Sequence, residues 1–440
     1  MKRPFLLFFT FVCLGIIGFF WWRNSGVLLL DAGARADGMG FIVFGRLFGL
    51  LAVFCILVQL LLIGRIKWIE NTIGFDKLAH LHHLNGFLAL FFILLHPFFI
   101  IFGYKGLSDS SFVHQFFTLL SLDDVLGAVI GFVLFALVVT FSIVAVAKRL
   151  RYEVWYGIHV SVYAAILFSY GHQLELGGDF LSQPFFVLFW YALYAFVFTN
   201  FVVFRFIMPV WRYAKHRFVV DLIVKEADGA HSVYITAKHL DAWKAKPGQF
   251  IIVRFFQKGF WWEAHPFSLS SPVKGSIRIT AKALGDFTKK IPSLSSGTKV
   301  LIDGPHGGFT PNEKTKKKVL LVAGGIGVTP LRTISEELLQ KGYDVAFVYS
   351  TKVKEESVFN QEFIKLQEQF TQQFHFVPVY TRGEPAQKID ETFFMNFVDD
   401  LKEREAFICG PKPMIESIAL MLERLGLSKK DIHFEKFSFS

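Results

Sequence analysis

The stretch HHLNGFLALFFILLH, residues 82–96, has a histidine at each end of an apolar run. Within a membrane, an ionisable ring is costly and needs a specific partner, so these histidines require an explanation. A second run, HVSVYAAILFSYGH, has the same feature between His159 and His172. A helix turns about 100° per residue, so His82 and His96 share a face to within about 40°. The spacing of His159 and His172 matches one face less well, and aligning those rings needs a helix bulge, a tilt or a ring rotation.

Apolar runs of this length fill the first half of the chain. The 440 residues are 53% hydrophobic, but the excess is confined to residues 1–210, and residues 211–440 have an ordinary soluble composition. A helix needs about 20 apolar residues to cross a bilayer. Six runs meet that requirement: 4–22, 41–63, 84–102, 125–147, 154–172 and 184–207. The first is expected to be a retained helix, because its run is long for a signal peptide and no small-residue cleavage site follows.

The distribution of lysine and arginine sets the expected orientation of these runs. One side of the predicted bundle carries most of the cations: Lys2, Arg3, Arg65, Lys67, Lys77, the KRLR segment at 148–151, Arg205, Arg212, Lys215 and Arg217. The positive-inside rule then places both termini and the soluble half in the cytoplasm, at a plasma or inner membrane. Because topology explains the net charge of +10, we expect no nucleic-acid partner. Three cysteines without a CxxC pair fit a reducing compartment.

Orientation also sorts the four histidines by depth. The third and fifth runs both lead outward, so His82 and His159 lie at the inner ends and His96 and His172 at the outer ends. Two stacked b-type haems, each held by two histidines, would use this arrangement. The alternative is that each ring is a capped or pore-lining group. His83 is the rival ligand beside His82, but it is less well in phase with His96.

Residues 216–312 contain short β-like segments punctuated by turn residues, which predicts a small antiparallel barrel. The motifs HPFSLSS (265–271), GDFT (285–288) and DGPHGGF lie in this part. From residue 318 the pattern changes to strand–helix alternation, which predicts a parallel α/β domain. The glycine turn GGIGVTP follows its first strand, where backbone N–H groups can approach a pyrophosphate. CGPKPM and the terminal HFEKFSFS complete the set of motifs.

Taken together, these motifs resemble the ferric reductase and NADPH oxidase superfamily, from about residue 40 to the end. The resemblance implies a six-helix all-α membrane bundle followed by a ferredoxin-reductase-like module with a β-barrel FAD domain and an α/β NAD(P)H domain. We expect the boundaries 1–210, 211–313 and 314–440. HHLNGFLALFFILLH is similar to the family's haem helix, with His83 where a basic residue is usual. The match supports His82, His96, His159 and His172 as haem-iron ligands.

The resemblance also implies cofactor contacts in the soluble half. The residues expected to line the flavin ring are His265, Pro266, Phe267 and Ser268, with Ser270 and Ser271 nearby. Gly285 and Thr288 are expected at the FAD pyrophosphate. Those expected at the nicotinamide nucleotide are Gly324, Gly325, Gly327, Thr329, Pro330, Cys409, Gly410 and Pro411. Phe437 is expected to shield the flavin, with Phe439 as the alternative; Ser268, Cys409 and Phe437 are thus candidate catalytic residues.

The implied function is electron transfer from cytoplasmic NAD(P)H through FAD and two b-type haems to an acceptor outside, either O2 or a ferric chelate. Arg46 is either a snorkelling side chain or a cation beside the outer haem, matching a family arginine near the oxygen site. Ser350, Thr351 and Lys352 follow a predicted strand at the place where similar enzymes bind a 2′-phosphate, and this resemblance favours NADPH over NADH. Two alternatives stay open: a haem-free, membrane-anchored flavin reductase serving a soluble or quinone acceptor, and a non-enzymatic scaffold or channel.

Overall fold

The structure, a computed structural model, describes residues 2–30, 38–108, 110–148, 152–175, 179 and 183–436. The chain forms two compact units, Met1–Arg205 and Phe206–Ser440. Each unit has its own hydrophobic core and is described separately.

Long apolar helices make up most of the first unit. They are α1 (Lys2–Asn24), α2 (Met39–Ile63), α3 (Lys67–Ile73), α4 (Phe75–Leu107), α5 (Phe112–Leu120), α6 (Val125–Lys148), α7 (Tyr152–Val160), α8 (Val162–Glu175) and α9 (Pro184–Val202). Among the described residues, five helical stretches are long and apolar enough to cross a bilayer: Phe5–Asn24, Met39–Ile63, Lys77–Leu107, Val125–Ile143 and Pro184–His216. These match five of the six predicted spans.

The fifth predicted span, 154–172, is the exception. It forms two shorter helices, α7 and α8, which are separated at Ser161. The Ser161 hydroxyl donates a hydrogen bond to the Ile158 carbonyl at 2.7 Å, a local bond that competes with the regular helical pattern. The predicted count of six spanning helices is therefore not confirmed, although this segment is helical on both sides of the interruption.

Glycines allow close helix packing in this unit. A Cβ at Gly45 would lie 2.9 Å from Ile100, and one at Gly49 would lie 2.9 Å from the Nδ1 atom of His96. Small residues at such contacts let apolar helices approach, which matters where lipid provides no hydrophobic drive for association. These glycines bring α2 against α4 along much of their length.

The second unit begins with α10 (Met208–His216) and an antiparallel barrel. The strands are β1 (Val219–Ala227), β2 (Ala230–Thr236), β3 (Phe250–Phe255), β4 (His265–Ser268), β5 (Ile277–Lys282) and β6 (Val300–His306). They form two sheets, β1-β2-β5 and β4-β3-β6, around one apolar core. The short helix α11 (Asp286–Lys290) follows β5. The predicted barrel is confirmed.

A parallel sheet of order β11-β10-β7-β8-β9 completes this unit. Its strands are β7 (Lys318–Gly324), β8 (Asp344–Thr351), β9 (Phe374–Tyr380), β10 (Glu405–Gly410) and β11 (Ile432–Lys436). The helices α12 (Val328–Gln340), α13 (Asn360–Gln369), α14 (Glu391–Phe397) and α15 (Lys412–Arg424) accompany them. Val319 and Leu321 of β7 face one core and Leu320 and Val322 the other, as expected for a strand covered on both faces. The predicted α/β domain is confirmed.

Candidate functional site

Two pairs of histidine rings face each other in the first unit. The ring centroids of His82 and His159 are 6.2 Å apart, with an angle of 65° between the ring planes. Those of His96 and His172 are 6.1 Å apart, at 61°. Helix α4 supplies one ring of each pair, and the interrupted helices α7 and α8 supply the other two. The interruption at Ser161 lies between His159 and His172, where the sequence spacing requires an irregularity.

The separation within each pair fits one metal ion between two imidazoles. A ligating imidazole nitrogen lies about 2 Å from its metal, and a ring nitrogen about 1 Å from its ring centre. Two trans ligands on one ion therefore place their ring centroids about 6 Å apart. Both separations have this value, which also lies within the range of edge-to-face ring contacts.

Hydrogen bonds fix the tautomer of one ring in each pair. The Nδ1 atom of His96 donates to the carbonyl of Gly45 at 2.8 Å. The Ser142 hydroxyl donates to the Val138 carbonyl, so it accepts from the Nδ1 atom of His159 at 3.3 Å. Each bond leaves Nε2 with a free lone pair, as a metal ligand requires.

The partner rings lack such support. The Nδ1 atoms of His82 and His172 are buried, and within the described ranges neither has a hydrogen-bond partner. An orphaned buried nitrogen is costly, and an ordered water or a bound group is the ordinary partner of one. The rival His83 is exposed, and its ring centroid lies 4.9 Å from that of Phe87.

Polar side chains inside the apolar helices support the His82–His159 pair. Gln59 of α2 donates from Nε2 to the backbone carbonyl of His82 at 2.8 Å and accepts from Asn85 at 2.6 Å. Trp155 stacks on His159 at 5.1 Å and donates to Ser142 at 3.3 Å. Sequence reasoning missed these residues, although the rarity of Gln and Asn in spanning runs was the available signal.

Arg46 has an acidic partner that the sequence did not predict. Its Nη1 atom donates to the Ser25 hydroxyl at 3.1 Å and lies 3.8 Å from a carboxylate oxygen of Asp179. Ser25 donates to the same carboxylate at 2.7 Å. Both Ser25 and Asp179 are buried, whereas the Arg46 side chain is partly exposed.

The HPFS segment forms β4, whose side chains alternate between two faces. The ring of His265 lies 4.0 Å from Phe287, and Phe267 packs against the barrel core. Pro266 and Ser268 point to the opposite face, with Pro266 exposed and Ser268 buried. The four predicted flavin residues thus divide between two faces of one strand. His265 is further held by Glu263, whose carboxylate lies 2.9 Å from Nε2.

The remaining residues of the predicted flavin set lie in ordered turns. Ser270 is fully buried and its hydroxyl lies 2.8 Å from that of Thr280, while Ser271 is half-buried. The Thr288 hydroxyl accepts from the backbone N–H of Gly285 at 3.0 Å. This bond shapes the turn that begins α11, and it gives the Thr288 hydroxyl a hydrogen-bond partner inside the protein.

The glycine turn and the CGP segment lie against each other. Gly327 faces the carbonyl of Cys409 so closely that a Cβ there would collide with it, and Gly410 lies beside Gly324. Gly325 has a φ of 55°, which favours glycine. The fold therefore brings the two predicted nicotinamide-nucleotide segments together, with Thr329, Pro330 and Pro411 at their ends.

Cys409 lies at this contact through its backbone. Its side chain is fully buried in the core, and burial raises the pKa of the thiol well above its ordinary value. Ser350 pairs with Gly324 across β7 and β8, and Lys352 is exposed just beyond β8. Phe437 and Phe439 lie outside the described residues.

Family models match three consecutive parts of the chain. Residues 48–170 match a ferric reductase like transmembrane component. Residues 226–324 match an FAD-binding domain, and residues 321–419 match an oxidoreductase NAD-binding domain.

Individual proteins are similar to part of the chain. A flavohemoprotein of Halalkalibacterium halodurans is 28% identical over 52% of this chain and 60% of its own length. Sulfhydrogenase 2 subunit gamma of Pyrococcus furiosus is 31% identical over 43% of this chain and 70% of its own length. The FAD/NAD-binding domain of a Vibrio cholerae nitric oxide dioxygenase aligns with a TM-score of 0.45, at 22% identity, over 51% of this chain and 99% of that one. The chain spans 60% to 65% of the first curated relatives it matches.

These domains define a class, the membrane-integrated oxidoreductases with FAD- and NAD-binding domains. The order of the three domains is that of the ferric reductase and NADPH oxidase-type architecture.

Proposed function

We propose that this protein carries electrons across a membrane, from cytoplasmic NAD(P)H to an acceptor on the opposite side, through FAD and two b-type haems. The observation that carries the proposal is the presence of two facing histidine pairs, each at a separation suited to one iron. In the part of the chain that the structure describes, no group of three or more His, Cys, Asp or Glu side chains could hold a metal. Two imidazoles suffice for haem, because the macrocycle supplies the other ligands.

The four histidines would hold two haems at different depths in the membrane. His82 and His159 would hold an inner haem, and His96 and His172 an outer one. When bound, FAD accepts two electrons as a hydride and releases them singly, and haem iron carries one electron at a time. The apolar helices around the rings would limit the access of solvent to the haems, which is one of the protein's means of tuning them.

The soluble unit would bind the two nucleotides side by side. The turn at Gly285 and Thr288 would hold the FAD pyrophosphate, and β4 would contact the flavin ring. The glycine turn before α12 offers backbone N–H groups to the NAD(P)H phosphates. The buried, protonated thiol of Cys409 gives this residue a packing role beside the nicotinamide, with Phe437 as the proposed flavin shield.

Ser350 and Lys352 favour NADPH as the donor, because a hydroxyl and a cation beyond β8 suit a 2′-phosphate. Equal kcat/KM values for NADH and NADPH would remove this preference. The acceptor is O2 or a ferric chelate, and Arg46 is the proposed cation near it. Turnover assays should compare cytochrome c reduction that superoxide dismutase inhibits with ferric-chelate reduction under nitrogen.

The test is anaerobic mixing of the purified, FAD-loaded protein with NADPH, followed by absorbance. We expect flavin bleaching and then a shift of the Soret band as haem is reduced. His96→Leu should retain bleaching but lose part of the Soret shift, whereas the exposed neighbour variant His83→Leu should behave as wild type. Bleaching in a protein that lacks a Soret band would contradict the proposal and indicate a haem-free flavin reductase.

A further inference from the structure

The barrel and the parallel sheet are joined within the second unit by a cluster of charges, in which two arginines are buried and the glutamate between them is 31% exposed. Arg278 of β5 is 4% exposed, and both of its terminal nitrogens donate to the carboxylate of Glu362, at 2.6 and 3.1 Å. Arg332 of α12 donates from Nε to the same carboxylate at 2.8 Å. One glutamate at the start of α13 therefore receives an arginine from each of two neighbouring elements.

The two arginines connect to the segments that the proposed function assigns to cofactors. Arg278 also donates from Nη2 to the carbonyl of Ser270, at 2.6 Å, and Ser270 belongs to the proposed flavin segment. Arg332 lies one turn after Thr329, in the first turns of the helix that follows the glycine turn. Charged hydrogen bonds thus connect the Ser270 segment to α12, the helix that follows the glycine turn.

The residues around Glu362 include a strained backbone and a desolvated charge, both of which cost free energy. The Phe359 ring lies 4.3 Å from the Arg278 guanidinium, and Phe359 itself adopts a φ of 64°, which is rare for a side chain of this size. Backbone strain of this kind persists where the surroundings enforce it, and it concentrates at functional sites. Burial opposes ionisation of Glu362, but the hydrogen bonds and charges of Arg278 and Arg332 hold its pKa below the ordinary value. Glu362 is therefore a carboxylate that can accept from both arginines.

We propose that Glu362 is a positioning residue, which through Arg278 and Arg332 fixes the flavin segment relative to the nicotinamide-nucleotide turn for hydride transfer. The inference rests on the proposed function. A second ion pair provides a comparison, because Lys282 of β5 contacts Glu356 at 2.5 Å, also between the barrel and the segment after β8. The two glutamates are similarly exposed, but the Lys282 side chain is 25% exposed whereas those of Arg278 and Arg332 are 4% and 11% exposed, and pairs with an exposed cation contribute little.

The experiment compares Glu362→Gln with the control Glu356→Gln in the full-length protein. An error of about 1 Å in the placement of reacting groups can cost about 100-fold in rate. We expect Glu362→Gln to slow anaerobic flavin reduction by NADPH about 10- to 100-fold at saturation, with the KM for NADPH changed less than about threefold. Glu356→Gln should stay within about twofold of wild type.

A double variant separates positioning from stability. Replacing a largely buried ion pair with apolar residues often preserves stability, and Arg332 keeps the Glu336 carboxylate as a partner, so Arg278→Met with Glu362→Leu should unfold near the wild-type temperature. We expect flavin reduction by this variant to remain slow, because the Ser270 carbonyl loses its Arg278 donor and the Arg332 side chain loses its Glu362 acceptor. A wild-type rate in this variant, or in Glu362→Gln, would overturn the inference.

Hydrogen exchange of the cofactor-free protein gives a readout that needs no turnover. The amide of Ser270 bonds to the carbonyl of Arg278 at 2.9 Å, and Glu362→Gln should accelerate its exchange while Glu356→Gln should not. Equal exchange in the two variants would overturn the linkage. If the wild-type protein failed to bleach flavin with NADPH, the proposed function would fail, and the exchange comparison would still decide whether Glu362 restrains the Ser270 segment.

Discussion

The two histidine pairs have almost the same geometry but different support. Their centroid separations differ by 0.1 Å, from 6.2 to 6.1 Å. The His96 ring is held by a backbone carbonyl, that of Gly45, whereas the His159 ring is held by the side chain of Ser142. Substituting Gly45 leaves its backbone carbonyl in place, whereas substituting Ser142 removes its side-chain hydroxyl. The His96–His172 pair therefore depends on how closely α2 and α4 pack, and the His82–His159 pair on particular polar side chains.

The largest expected effect comes from closing the space beside His96. A Cβ at Gly49 would lie 2.9 Å from Nδ1 and 3.0 Å from Cε1 of that ring, so Gly49→Ala forces the ring away from Gly45. We expect the outer haem to be lost, leaving about one haem per chain by pyridine haemochrome assay. Gly18→Ala is the matched control, because a Cβ there meets nothing within 4 Å. Full haem content in Gly49→Ala would mean that His96 does not hold the outer haem.

A smaller effect is expected at the inner pair. Ser142→Ala removes the acceptor of the His159 Nδ1 proton, and loss of such an outer partner typically costs about 10- to 100-fold in metal affinity. We therefore expect haem to dissociate faster from one of the two sites during transfer to apomyoglobin. Ser169→Ala, which removes a hydroxyl bonded to the Ala165 carbonyl, serves as the control. An unchanged haem dissociation rate at both sites would mean that Ser142 does not support haem binding.

Gln59 should matter less than Ser142, because it contacts the backbone of His82 and not the ring. A hydrogen bond between membrane helices contributes about 0.6 kcal/mol on average and at most about 1.7 kcal/mol. Gln59→Leu should thus weaken haem retention at the inner site by about threefold to 20-fold, measured in the same transfer assay. A preferential loss at the outer site would contradict the division of support between the pairs.

The smallest expected effect lies at the Arg46 cluster. Asp179→Asn keeps an acceptor for Ser25 but removes the negative charge 3.8 Å from Arg46. Because Arg46 is partly exposed, the change in free energy should stay below about 1 kcal/mol. We expect kcat/KM for an anionic ferric chelate to rise by up to about fivefold, with superoxide production unchanged. An equal change in the rates of ferric-chelate reduction and superoxide production would mean that Arg46 does not distinguish the two acceptors.

Much of this arrangement followed from the sequence, for identifiable reasons. The helical phase placed His82 and His96 on one face of a helix. The order of the apolar runs then matched these two rings with His159 and His172. The poor phase match between His159 and His172 required a helix irregularity. The barrel and the parallel sheet followed from changes in hydrophobic periodicity in the same way.

What the sequence did not reveal depends on contacts between distant segments. Asp179 reaches Arg46 and Ser25 only because helix packing brings three segments together, and Gln59 reaches His82 across two helices. Glu362 appears in the sequence as one acid on an amphipathic helix, and its two arginines lie 30 and 84 positions away. The alternation of β4 likewise divides HPFS between two faces, which a motif match alone treats as one surface.

The most direct test of the central claim is the haem content of the purified protein and of four variants, His82→Leu, His96→Leu, His159→Leu and His172→Leu. The account predicts about two haems per wild-type chain and about one in each variant, with His82→Leu matching His159→Leu and His96→Leu matching His172→Leu in the reduced-minus-oxidised spectrum. A wild-type protein without haem, or variants whose spectra pair in any other way, would contradict it.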